Sequence, residues 1–177
     1  QESLAGRDGR VYWAGMPLLL GVNIDHVATL RQARYARTPG CQNAEPSPLT
    51  AGLDAMAGGA DSLTLHVRGD RRHMQDSDAF QVRRDVPLPF NLEMGVTEEM
   101  VGLALKLKPE YACLVPETRQ EITTEGGLDV RAGFDKIRMV VARLQDAGIK
   151  VSLFIDPDTD QVEAAGETCA EMIELHT

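Results

Sequence analysis

Six short apolar runs constrain this chain more than any other feature: LLLGVN (18–23), SLTLHV (62–67), LPFNLEM (88–94), YACLV (111–115), VSLFID (151–156) and EMIELH (171–176). Each is rich in β-branched or large apolar residues and bounded by turn formers, which reads as a strand. Helix candidates lie between them. Thr97, Glu98 and Glu99 supply a capping hydroxyl and an acidic first turn for a helix running to about Lys108, before Pro109. The stretch 135–147 carries Ile137, Val140, Val141 and Leu144 at helical spacing and stops at Gly148. Helices are also expected over 49–57, over 158–167 and after His73. Strands alternating with helices require right-handed crossovers and a parallel sheet. An open doubly wound sheet and a closed barrel both satisfy that pattern.

The strand ends separate the two. Residues i and i+2 of a strand face the same side. Four runs end in polar pairs at that spacing: Asn23 and Asp25, His66 and Arg68, Asn91 and Glu93, Glu174 and His176; Asp156 ends a fifth. Inward-facing charge is costly unless paired or solvated. A barrel gathers the carboxyl ends of all its strands around one mouth, whereas an open sheet uses only those at its switch point. The expected fold is therefore an α/β (TIM-type) barrel. Glu93, inside an apolar strand, has the setting of a general base whose pKa is raised by desolvation. His66 runs straight into RGDRRH, which puts an imidazole, several guanidiniums and His73 in one loop, suited to phosphate and to proton transfer near pH 7. The same letters also fit a solvated charge run, and His26 fits a structural hydrogen bond. Loop 116–130, with its hydroxyls, Glu residues and Gly126-Gly127, reads as a lid over the mouth.

A formal net charge of −9 argues against nucleic acid as the main partner, because a phosphate backbone requires a basic stripe. Arg31, Arg34, Arg37, Arg68, Arg71 and Arg72 nevertheless crowd the first half and allow local anion sites. Cys41, Cys113 and Cys169 form no disulfide framework or C-x-x-C motif, which points to a reducing, cytoplasmic compartment; Cys113 and Cys169 read as small core residues. No run approaches the ~20 apolar residues of a membrane span. Metal is not expected: Asp25, His26, His66, His73, Glu93, Glu174 and His176 could converge, but no metal-ligand spacing is present and the Arg density opposes a divalent cation. Residues 1–17 are polar and Gly-rich, expected to be a poorly ordered extension with Met16 as the functional start and 18–177 as the barrel domain.

LLLGVNIDHVATLRQAR, SLTLHVRGDRRH, NLEMGVTEEM, CLVPETRQEITTEGGLDV, VSLFID and IELHT together resemble the pyridoxine 5′-phosphate synthase family, from about Leu18 to Thr177 and in the family's order. The resemblance implies a (β/α)8 barrel that condenses 1-deoxy-D-xylulose 5-phosphate with 3-amino-2-oxopropyl phosphate, without metal or organic cofactor, as a homo-octamer. It implies proton acceptors at His66 and Glu93 and a transition-state stabiliser at Glu174. Asn23 and Arg34 then match contacts to the aminoketone phosphate, and Asp25, His26, Arg68, His73 and Thr123 match contacts to the deoxyxylulose phosphate. Two features depart from the family. The stretch between Arg34 and Ala51 is longer than the usual turn, and the chain ends after its sixth strand, where such barrels need ~250 residues. The expectation is an incomplete barrel with its last two units missing, weakly active or inactive alone. The other readings are a different phosphosugar barrel, such as an isomerase or aldolase, and a non-catalytic phosphate-binding or assembly module. A lysine-dependent aldolase is disfavoured by the lack of a strand-tip Lys.

Overall fold

The computed structural model describes residues 4–5, 11–12, 18–41, 44–117 and 126–177. Strand β1 (Leu4–Ala5) pairs antiparallel with β2 (Val11–Tyr12) in a sheet of their own. Then follow β3 (Gly21–Asn23), α1 (Asp25–Tyr35), α2 (Pro48–Ala57), β4 (Ser62–His66), α3 (Asp76–Asp85), β5 (Phe90–Gly95) and α4 (Glu98–Leu107). The chain continues through β6 (Tyr111–Val115), α5 (Phe134–Asp146), β7 (Lys150–Ile155), α6 (Thr159–Glu167) and β8 (Met172–Leu175).

Strands β3 to β8 are all parallel and hydrogen-bonded in strict chain order, β3-β4-β5-β6-β7-β8. A doubly wound sheet reverses its strand order at a switch point, and this sheet has no reversal. The six strands form an incomplete (β/α) TIM-like barrel.

Alternation gives the two faces of the sheet different jobs. Leu63, Leu65, Leu92, Met94, Ala112, Leu114, Val151 and Leu153 point outward and are completely or almost completely buried under the helices. Against them pack Met100, Val101, Ala104 and Leu107 of α4 and Ile137, Val140, Val141 and Leu144 of α5. The inner face carries Asn23, Thr64 and Asn91 in one register row and His66, Glu93 and Cys113 in the next. Every strand C-terminus lies at the same end, so the chemistry-bearing row is set by pairing register alone.

The helices fall where the caps place them. Thr97 accepts from the Met100 N–H and Asp158 from the N–H groups of Asp160 and Gln161, while Lys108 closes α4 in the left-handed region at φ 50°. Three details differ from the sequence reading. Leu18–Leu20 lie outside the first strand of the barrel sheet and are exposed; β4 begins only at Ser62, and Leu20 meets the chain before it through Asp61 and Ser62. Helix α1 was not expected, because the residues it buries are Asp25, Ala28 and Arg31 and two of them are charged, which hides the apolar period. Cys169 is exposed, on a left-handed turn at φ 66°, whereas Cys113 is buried.

Strands β3 and β8 each have one neighbour in the sheet. Leu19, Leu20, Met172, Ile173 and Leu175 stand exposed beside these edges. Unpaired edges flanked by apolar side chains recruit further strands. The 177-residue chain is expected to self-associate with rising concentration in sedimentation velocity, and a monomer at every concentration would contradict this.

Candidate active site

The site starts at the tip of β3. Asn23 ends the strand and Asp25 opens α1, so the two are not an i, i+2 strand pair as the sequence spacing suggested. They meet through a turn instead: the Asp25 N–H donates to Asn23 Oδ1 (2.8 Å) and Asn23 Nδ2 donates to Asp25 Oδ2 (3.0 Å). Asp25 Oδ1 accepts the backbone N–H of His66 at 2.5 Å, which ties α1 to the end of β4. Asn23 Nδ2 also reaches Glu93 Oε1 at 3.4 Å.

His66 sits at the centre, 5% exposed. Its Nδ1 is 3.8 Å from Glu93 Oε2 and its Nε2 is 2.8 Å from Glu117 Oε1. The His73 ring lies edge-on at 5.8 Å between centroids. Burial, together with His66 and Arg68, lowers the His73 pKa against the pull of Asp25 and Asp70, so this ring is neutral near pH 7.

Glu93 is the most perturbed carboxyl of the cluster. Burial first, then the negative charges of Asp25 and Glu174, push it up to about 7, against the opposing effects of His66 and the Asn23 hydrogen bond. A group poised there both gives and takes protons at physiological pH. A cavity of about 110 Å³ opens beside it, lined by Glu93, Val115, Phe154 and Glu174. Glu174 faces it from β8 in register with Phe154 and accepts a long contact from Cys113 Sγ at 3.7 Å. Burial, with Glu174 and Glu93 nearby, pushes the Cys113 thiol up to about 12, so it stays protonated.

The sequence candidates thus divide. Asn23, Asp25, His66, His73 and Glu93 form one cluster, and Glu174 joins it across the cavity. Arg68 is buried just beyond β4, its Nε 3.7 Å from Asp70 Oδ1. His26 is exposed on the first turn of α1. Arg34 is exposed in the last turn, nine residues and roughly 13 Å of helix beyond Asp25. Thr123 lies outside the described residues, as does most of the loop read as a lid. His176 continues beside β7, its N–H donating to the Ile155 carbonyl at 2.9 Å; its Nδ1 is 3.1 Å from Asp156 Oδ1 and its ring packs on Phe154, at the cavity's edge.

Much of the arginine crowding is internal ion pairing rather than anion binding. Arg31 is bidentate to Asp78 at 2.7 Å, Arg71 pairs with Asp76 and Glu99, and Arg72 with Asp70. Asp25, His66 and Glu93 each offer a ligand atom within 4.8 Å of the others, a spacing a cation can bridge. Each Asp25 oxygen also accepts one hydrogen bond, from His66 N–H and from Asn23 Nδ2.

Sequence reading missed Glu117. It lies two residues beyond Val115, the last residue of β6, the same i, i+2 relation that flagged the other strand tips. Gly127, read from the sequence as part of a lid's Gly-Gly pair, has its N–H donating to Asp156 Oδ1 at 2.8 Å. A Cβ there would sit 2.1 Å from the Asp156 nitrogen, so only glycine lets the returning loop lie on the tip of β7.

Residues 20–177 match the family described as pyridoxal phosphate biosynthesis protein PdxJ. The chain is 64% identical over 160 residues to a pyridoxine 5′-phosphate synthase of Akkermansia muciniphila, covering 90% of this chain and 65% of that one. It is 56% identical over 158 residues to the protein of that name from Geotalea daltonii, covering 89% and 63%. The chain therefore spans a little under two thirds of the length of these relatives. Among solved structures it resembles an aldolase, QR15 (TM-score 0.53, 11% identity, 89% of this chain and 76% of that one). It also resembles a mandelate oxidase mutant (TM-score 0.52, 14% identity, 72% and 45%). Identities this low speak for the barrel fold alone.

Proposed function

This chain belongs to the PdxJ family of pyridoxal phosphate biosynthesis proteins, and from that membership we propose that it supplies the strand-tip groups of a pyridoxine 5′-phosphate synthase. The reaction joins 1-deoxy-D-xylulose 5-phosphate and 3-amino-2-oxopropyl phosphate. An amine attacks a ketone, water and phosphate leave, and a carbon–carbon bond closes the ring. Each step moves protons, so the pocket needs several groups tuned around neutrality.

The observation that carries the reading is Glu93, pushed up to about 7 beside His66 and facing Glu174 across a cavity at the barrel mouth. In this reading His66 and Glu93 accept protons and Glu174 stabilises developing positive charge. Asn23 and Arg34 hold the aminoketone phosphate. Asp25, His26, Arg68, His73 and Thr123 hold the deoxyxylulose phosphate. The substrates are small phosphorylated molecules, no metal or organic cofactor takes part, and the protein works in the cytoplasm as a homo-oligomer, an octamer as its family resemblance implies. Residues 18–177 are the catalytic portion and residues 1–17 an extension. Among the described residues no helix is long and apolar enough to cross a membrane.

The test is calorimetric titration of the 177-residue chain with each substrate, alongside an assay of pyridoxine 5′-phosphate formation. Binding with little or no turnover is the expected result. Failure to bind either compound would overturn the assignment, and robust turnover would overturn the view that this portion alone is catalytically weak.

A further inference from the structure

Three nitrogens converge on the Glu117 carboxylate, two of them backbone N–H donors. Oε1 accepts from Gly95 N–H at 3.2 Å and lies 2.8 Å from His66 Nε2; Oε2 accepts from Gly69 N–H at 3.0 Å. The seat is shaped for it. A Cβ on Gly95 would stand 2.8 Å from Glu117 Cδ, and one on Gly69 would stand 3.2 Å from Oε2. Glu117 therefore clamps the root of the loop after β6 to the tips of β4 and β5, with the buried imidazole as its third point of contact.

The two faces of that imidazole are not equivalent. Nε2 has a carboxylate at hydrogen-bond distance, while Nδ1 is 3.8 Å from Glu93, beyond it. A lone pair on Nε2 would face a carboxylate oxygen that is already held by a backbone N–H. A proton there makes a charge-assisted bond instead. Burial works to raise the Glu117 pKa, but the His66 bond, the Gly69 N–H and the nearby positive charge outweigh it and hold the carboxyl below its usual range. The group facing Nε2 is thus an acceptor throughout the neutral range.

We infer that Glu117 is the positioning residue of this site: it fixes the neutral His66 ring as the Nε2–H tautomer and so presents the Nδ1 lone pair to Glu93 and the barrel mouth. A proton leaving bound substrate then arrives at Nδ1, Nε2 keeps its own, and the imidazolium so formed faces the Glu117 carboxylate as its counter-charge. The inference deepens the proposed reading and rests on His66 as a proton acceptor, but the tautomer is observable without turnover.

The experiment is long-range proton–nitrogen NMR of the 15N-labelled full chain above pH 8, with the His66 ring assigned by its disappearance in His66→Gln. The wild-type ring is expected to carry its proton on Nε2. In Glu117→Leu, which removes the acceptor at similar size, the proton moves to Nδ1 or is shared between both nitrogens. A wild-type Nδ1–H ring overturns the inference, as does a ring unchanged in Glu117→Leu. Should Glu117→Leu fail to fold, the wild-type tautomer still decides. Lack of substrate binding alongside an Nε2–H ring would fault the proposed function and leave the positioning role standing.

Discussion

Glu93→Gln is expected to make the chain more stable at pH 8 relative to pH 4 by up to about 3 kcal/mol compared with wild type. The Glu93 pKa is about 7 in the fold against 4.5 for an ordinary glutamate. The folded state thus holds its proton more tightly than the unfolded chain does, and stability falls as pH rises from 4.5 to 7. Each factor of ten in proton affinity is worth about 1.4 kcal/mol, and the loss is complete above the folded pKa. Glutamine cannot ionise and escapes that loss. Other groups titrate in the same window, His73 in the opposite sense, but they cancel when the two proteins are compared at each pH. Urea unfolding of both at pH 4 and pH 8 gives the result directly. An equal difference at both pH values would mean that Glu93 is not held protonated by its surroundings. In the proposed reading Glu93 is a proton acceptor, so the same substitution is expected to lose that chemistry while raising stability at pH 8.

Asp78→Ala is expected to cost about 3–5 kcal/mol, the usual penalty for stranding a buried charge. Arg31 is 2% exposed and grips Asp78 through both guanidinium nitrogens at 2.7 Å. Asp78 also accepts the Gln75 N–H at 2.8 Å as part of the cap on α3. Arg31 Nη2 reaches further, to the His73 carbonyl at 3.2 Å, so the pair pins α1, the His73 loop and the start of α3 at one point. Replacing both partners with apolar residues, as in R31M combined with D78L, should recover most of the loss because no charge is left buried. Equilibrium urea unfolding of the single and double variants is the measurement. A single variant within 1 kcal/mol of wild type would show that the ion pair does not brace this corner.

The barrel was legible because its cause is local and repeated. Period-two runs bounded by turn formers, capped helices such as the one after Thr97, and polar residues at successive strand ends each report on a few neighbouring residues, and together they allow few topologies. Helix α1 was illegible for the opposite reason: its buried face is Asp25, Ala28 and Arg31, and what makes a buried arginine tolerable is Asp78, far along the chain. Glu117 was overlooked because its importance comes from Gly69, just beyond β4, and Gly95, the last residue of β5, which approach it only after folding.

The amino-acid order by itself settled the alternation of strand and helix, the direction of the strands and the kinds of side chain that crown them, since these follow from backbone periodicity and capping within a few residues. Tertiary structure alone decided which crowns meet. Register across β3, β4 and β5 draws Asn23, His66 and Glu93 together, while helix geometry leaves Arg34 on the surface and pairing beside β7 brings His176 to Asp156. The raised pKa of Glu93 belongs to that second class: desolvation and the charges of Asp25 and Glu174 act through space, across distances the sequence does not record.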